Sequence, residues 1–170
     1  MTVRRTWVIV VVALLLIAVV GVVAWRWHSA KNAFALQYYY TSETVFQRIS
    51  VDRARLSHTY FPDASGRCAQ WVAQMPCWTK EELRTREAAL SRAEVEVLIG
   101  LLRELGWMRL DSVYAPSGQR NYPHVLSVQL GKERRDIIYQ SYPDAPPMPE
   151  PFARILDHLS GLMAAKFGEP

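Results

Sequence analysis

Two cysteines in 170 residues are too few for a disulfide-dense scaffold or a four-cysteine zinc site. Charged side chains make up only 21% of the chain, and half of it is hydrophobic, which excludes a disordered or low-complexity polymer. The eight glycines are dispersed, so no phosphate-cradling loop can be built from them. No Gly-x-Ser-x-Gly elbow, Cys-x-x-Cys pair or His-x-x-x-His pair occurs. His28, His58, His124 and His158 are scattered. The acidic pairs Glu81-Glu82 and Glu94/Glu96 have structural roles available as caps or helix surface. These absences predict no catalytic residue, no metal ligand and no cofactor site, and favour binding over catalysis. The length predicts one folded core.

One long apolar run is present. Trp7 to Trp25 covers 19 residues without a charge, enough for a helix of about 28 Å, close to the hydrocarbon thickness of a bilayer. Trp7 stands at one end and Trp25 and Trp27 at the other, as membrane-interface aromatics would. Arg4 and Arg5 precede the run. Arg26, His28 and Lys31 follow it. The expected organisation is a cytoplasmic stub over residues 1–6, a transmembrane helix over 7–27 and an extracytoplasmic domain over 28–170. The basic balance before the run leans slightly toward a cytoplasmic amino terminus. Val22-Val23-Ala24 leaves a cleaved signal peptide as the competing reading. Ala13, Ala18, Gly21 and Ala24 never fall four apart, so close helix pairing of the small-xxx-small kind is not expected.

Cys68 and Cys77 would close a ten-residue loop worth about 2.5–3 kcal/mol by chain entropy if oxidised. Disulfides persist outside the cytosol, which agrees with an exported domain. Two unpaired thiols are the other reading.

The formal charge of +4 divides unevenly. Residues 1–27 hold Arg4, Arg5 and Arg26 and no acid. The remaining 143 residues carry 17 basic and 16 acidic side chains, so the domain offers no basic surface for nucleic acid.

Within the domain, Phe34, Leu36, Tyr38 and Tyr40 alternate as a strand. Val45 to Val51 and Leu56 to Tyr60 read as two more strands. Leu83 to Ala89 suggests a fourth, although Thr79-x-x-Glu82 could instead cap a helix. Ser91-Arg92-Ala93-Glu94 is a capping box, followed by Val95, Leu98, Ile99, Leu102 and Leu105 at helical spacing, with Gly106 to end the helix. Residues 125–130 and 135–139 predict a hairpin around Gly131-Lys132. Five prolines between Pro143 and Pro151 predict an extended segment, and Pro151 suits the first turn of a closing helix. The expected class is α+β: an antiparallel sheet with two main helices on one face. Tyr38-Tyr39-Tyr40 must send aromatics to both sheet faces, and the second helix is expected to cover the far one.

The stretch from Leu90-Ser91-x-x-Glu94 through Leu105-Gly106-Trp107-x-x-Leu110 to Tyr114 resembles a loose class of small bacterial extracytoplasmic α+β domains of unknown function. The resemblance spans residues 34–165 and rests on cap and core positions. Many such domains look like lipoproteins, whereas this chain has no lipobox cysteine. The class implies no catalytic residues. The expected function is a single-pass, membrane-anchored binding or scaffolding module of the inner (cytoplasmic) membrane. Its partners would be the lipid bilayer, through residues 7–27, and an envelope protein. The alternatives are an anchored hydrolase with a dispersed site, built around His58, His124 or Tyr122 and a carboxylate, and a bitopic subunit of a secretion or pilus assembly platform.

Overall fold

A computed structural model describes Gly21 and residues 33–114, 122–141 and 145–168. The expected membrane helix over 7–27 lies, Gly21 apart, outside the described residues, as do Arg4, Arg5, Trp7, Trp25 and Trp27. No helix among the described residues is long and apolar enough to cross a membrane.

The domain is α+β, a seven-stranded sheet with two helices. Its strands are β1 (Phe34–Thr41), β2 (Phe46–Asp52), β3 (Arg55–Tyr60), β4 (Arg84–Ala89), β5 (Val113–Tyr114), β6 (Tyr122–Leu130) and β7 (Glu133–Ser141). Helix α1 is Arg92–Glu104 and α2 is Glu150–Phe167. The sheet order is β4-β3-β2-β1-β6-β7-β5, with β1 at the centre. All pairings are antiparallel except the two-residue contact of β5 with β7, which is parallel and corrects the expected all-antiparallel sheet. Both readings of residues 79–89 are realised in sequence. Thr79 and Glu82 form a capping box on a three-residue 3₁₀ turn, and β4 follows at once.

One face of the sheet carries the core. Phe34, Leu36 and Tyr38 of β1 are buried beside Ile49 and Val51 of β2, Leu126 and Val128 of β6, and Ile137 of β7. Leu98 and Leu102 of α1 and Phe152, Ile155 and Leu159 of α2 fill the same cluster. Ser91 caps α1 by accepting from the Glu94 amide, and Glu94 answers the Ser91 amide at 2.7 Å. Glu94 also meets Lys166 at 2.9 Å, tying the start of α1 to the end of α2. That lysine, with the Ser91 backbone amide, holds the Glu94 carboxyl down at about 2. Gly106 ends α1 in the left-handed region at φ 62°, where a side chain would be strained.

The opposite face departs from expectation. No helix covers it among the described residues. It presents Gln37, Ser50, Ser57, Thr59, Thr85 and Ser127, the polar half of each strand's alternation. Tyr39 lies there and packs edge-on against Phe46 at 5.7 Å, and Phe46 meets Trp78 at 5.0 Å. A loop residue, Trp78, shelters Phe46 on this face. On the core face, Arg135 of β7 is half-buried and donates to the Leu110 carbonyl.

Leu102 is fully buried in the shared core. Leu102→Ala removes several methylenes there and is expected to destabilise the domain by ~2–5 kcal/mol. Urea denaturation checks this. A change below about 0.5 kcal/mol would contradict the packing.

Candidate functional site

Two features leave chemistry unspent. The first is the loop between β3 and β4. Cys68 and Cys77 are joined in a disulfide with Cα atoms 5.8 Å apart, and both are buried. Asp63 accepts from the amides of Arg67 (3.1 Å) and Cys68 (2.9 Å), which fixes the loop's entry. The Arg67 guanidinium donates to the Cys77 carbonyl at 2.7 Å and to Glu82 at 2.6 Å, closing its exit. The Cys77 amide donates to Glu43 and the Trp78 indole to Ser42, so the loop is clamped to the β1–β2 turn. Between the cysteines, Trp71 donates to the Met75 carbonyl at 2.7 Å. The loop is too short to bury its own apolar residues. Val72 is 94% exposed and Met75 66% exposed, with Trp71 beside them.

The second feature is a cleft of about 340 Å³ between the sheet and the last turns of α2. Antiparallel register builds its floor. His58 of β3 lies opposite Ile49 of β2 and opposite Arg86 of β4, so both polar side chains point to the helix-covered face. Tyr60, two residues along, shares that face. The His58 ring stacks on Tyr60 at 4.7 Å. The Arg86 guanidinium sits between two rings, 4.8 Å from Tyr60 and 4.8 Å from Phe167. Gln47 and Ser160 add polar groups at the rim, and Phe61 and Met163 add apolar wall.

His58 is only 7% exposed. Burial, and then the neighbouring Arg86 charge, push its pKa down to about 4. Arg86 Nη2 lies 3.4 Å from His58 Nδ1. A guanidinium only donates, so Nδ1 accepts and the ring hydrogen sits on Nε2. That Nε2 is buried and makes no hydrogen bond, and neither does the buried Nε of Arg86. Among the described residues no carboxylate pairs with Arg86.

His124 occupies a different environment. Its ring stacks on Tyr40 at 4.2 Å and approaches Tyr139 at 5.6 Å. Tyr38 Oη lies 2.8 Å from its Nδ1. Burial, and then the Tyr40 hydroxyl, push the Tyr38 pKa up, so Tyr38 donates and the imidazole accepts. Burial also lowers His124 to about 4. Neither histidine site includes a carboxylate among the described residues. No group of three potential metal ligands gathers among them either.

Of the residues expected from the sequence, Cys68 and Cys77 are brought together. Reading the sequence missed Arg86, because the face of a weakly marked strand was undefined, and Trp71, Val72 and Met75, whose apolar character inside a short disulfide loop was the available signal. No protein-family model and no curated protein matches this chain.

The two depressed imidazoles set a pH dependence. Folded, both take up a proton near pH 4, whereas unfolded they do so near 6.5. The unfolded chain therefore binds more protons across that window, so stability is complete above about pH 7 and falls toward pH 4. The loss between pH 7.5 and 4.5 should be on the order of 3 kcal/mol for the pair, with half-buried His124 discounted for solvent. The Glu94 contribution is lost lower, between about 4.5 and 2. Urea denaturation at the two pH values measures the slope. Replacing both histidines by phenylalanine should flatten it, and an unchanged slope would contradict the assignment.

Proposed function

We propose that the chain is a single-pass membrane protein whose extracytoplasmic α+β domain docks an envelope protein through the disulfide-closed loop. The observation that carries this reading is the exposure of Val72 and Met75 on a loop held by the Cys68–Cys77 bond, Asp63 and Arg67. Exposed apolar side chains on a constrained support lose little entropy on binding and mark contact surfaces. The disulfide fits a domain outside the cytosol. The Trp7–Trp25 run, with tryptophans at both ends and arginines before it, fits an anchor over residues 7–27 in the inner membrane. Residues 1–6 form the cytoplasmic stub. The domain resembles the small bacterial extracytoplasmic class, many of whose members look like lipoproteins.

The test uses the full chain in the bacterial envelope. A photoreactive amino acid at Val72 should capture one discrete protein. Val72→Asp should abolish that capture from a neighbouring site while leaving the melting temperature unchanged. Both cysteines should resist a membrane-impermeant maleimide in intact spheroplasts until reduced, then label. Recovery of the chain alone, capture indifferent to Val72→Asp, or labelling only after the membrane is broken would contradict the reading.

A further inference from the structure

We infer that the cleft over His58 and Arg86 is a binding site for a small monocarboxylate with an apolar body. Arg86 provides the anchor. The guanidinium lies between two rings, its Nε is buried without a hydrogen bond, and no carboxylate among the described residues pairs with it, so its preference for an anion is unmet. Its fork suits a planar carboxylate.

His58 Nε2–H is the second donor. His58 lines the cleft and is more than nine-tenths buried, and its buried Nε2 makes no hydrogen bond. Buried donors are rarely left unpaired, so a ligand oxygen is the missing partner. The depressed pKa agrees with this, because a neutral imidazole donates without adding a second charge. One cation and one neutral donor balance a single negative charge. A phosphate dianion would bring more charge than the site offsets.

The rest of the cleft is apolar. Val45, Phe61, Met163 and Ala164 form its walls, and its volume of about 340 Å³ matches a ligand of modest size. Gln47 and Ser160 stand where a further polar group of the ligand could be met. The cleft borders the docking loop, because Phe46 lines the cleft and meets Trp78 and Arg67 lies over Phe61, but the exposed Val72 and Met75 line no part of it.

The probe is sodium hexanoate, titrated calorimetrically into the full chain in lipid nanodiscs, with empty nanodiscs subtracted. Hexanoate should bind saturably and at least tenfold more tightly than 1-hexanol, which has the same tail and no charge. Inorganic phosphate should not displace it. Arg86→Gln should weaken hexanoate at least tenfold and leave hexanol unchanged. Ser160→Phe, placed on the exposed rim, should abolish binding with the melting temperature preserved, which keeps the test decisive if Arg86→Gln folds poorly. Equal affinity for hexanol, displacement by phosphate, indifference to Arg86→Gln in a folded variant, or no hexanoate binding would each overturn the inference. None of these outcomes bears on protein capture at Val72, so the two readings fail separately.

Discussion

Burial of Phe34, Leu36 and Tyr38 beneath two helices decides where every other side chain of the sheet points. These residues lie on β1, the central strand, and side chains alternate with a period of two. Once β1 is oriented, antiparallel register carries the choice outward through β2, β3 and β4. Ile49, His58 and Arg86 fall in line with Tyr38 on the covered face. A slip of one residue between β2 and β3 would send His58, and with it Arg86, to the polar face, where water would satisfy both. The cleft exists because the register puts two polar groups at the margin of a face otherwise filled with hydrocarbon.

The same alternation explains the division of labour between faces. The covered face gathers the core and the two perturbed histidines. The other face is mostly polar, but Tyr39, Val125 and Ile138 form one apolar row across it, and Phe46 beside Tyr39 meets Trp78 of the β3–β4 loop. The loop therefore shields Phe46, and it does so with its tip still exposed. Asp63, Arg67 and Glu82 spend their hydrogen bonds on the loop's own ends, which leaves the tip fixed in place but free in composition.

Much of this fold was legible in the sequence because its signals are local. The alternation from Phe34 to Tyr40, the box at Ser91 and Glu94, Gly106 after the helix and Pro151 at the start of α2 each follow from a few neighbouring residues. The long-range facts were not legible. Nothing local states that β6 pairs with β1 or that β4 pairs with β3. The contact of His58 with Arg86 spans 28 positions and depends on that order. The two residues of β5 are too few to carry a period. Helices are the usual cover for a sheet face, but Tyr39 is met by Phe46 and Arg48 of the neighbouring strand instead, which no local pattern foretells.

The central claim is that register places a neutral His58, protonated on Nε2, against the Arg86 guanidinium. Nitrogen-15 spectroscopy of the imidazole in the full chain tests it most directly. At pH 6.0 the His58 ring should show an acceptor-type Nδ1 shift, a protonated Nε2 and no imidazolium. In Arg86→Gln the ring should begin to charge at a higher pH. A His58 ring that is doubly protonated at pH 6.0, or that carries its hydrogen on Nδ1, would contradict the account.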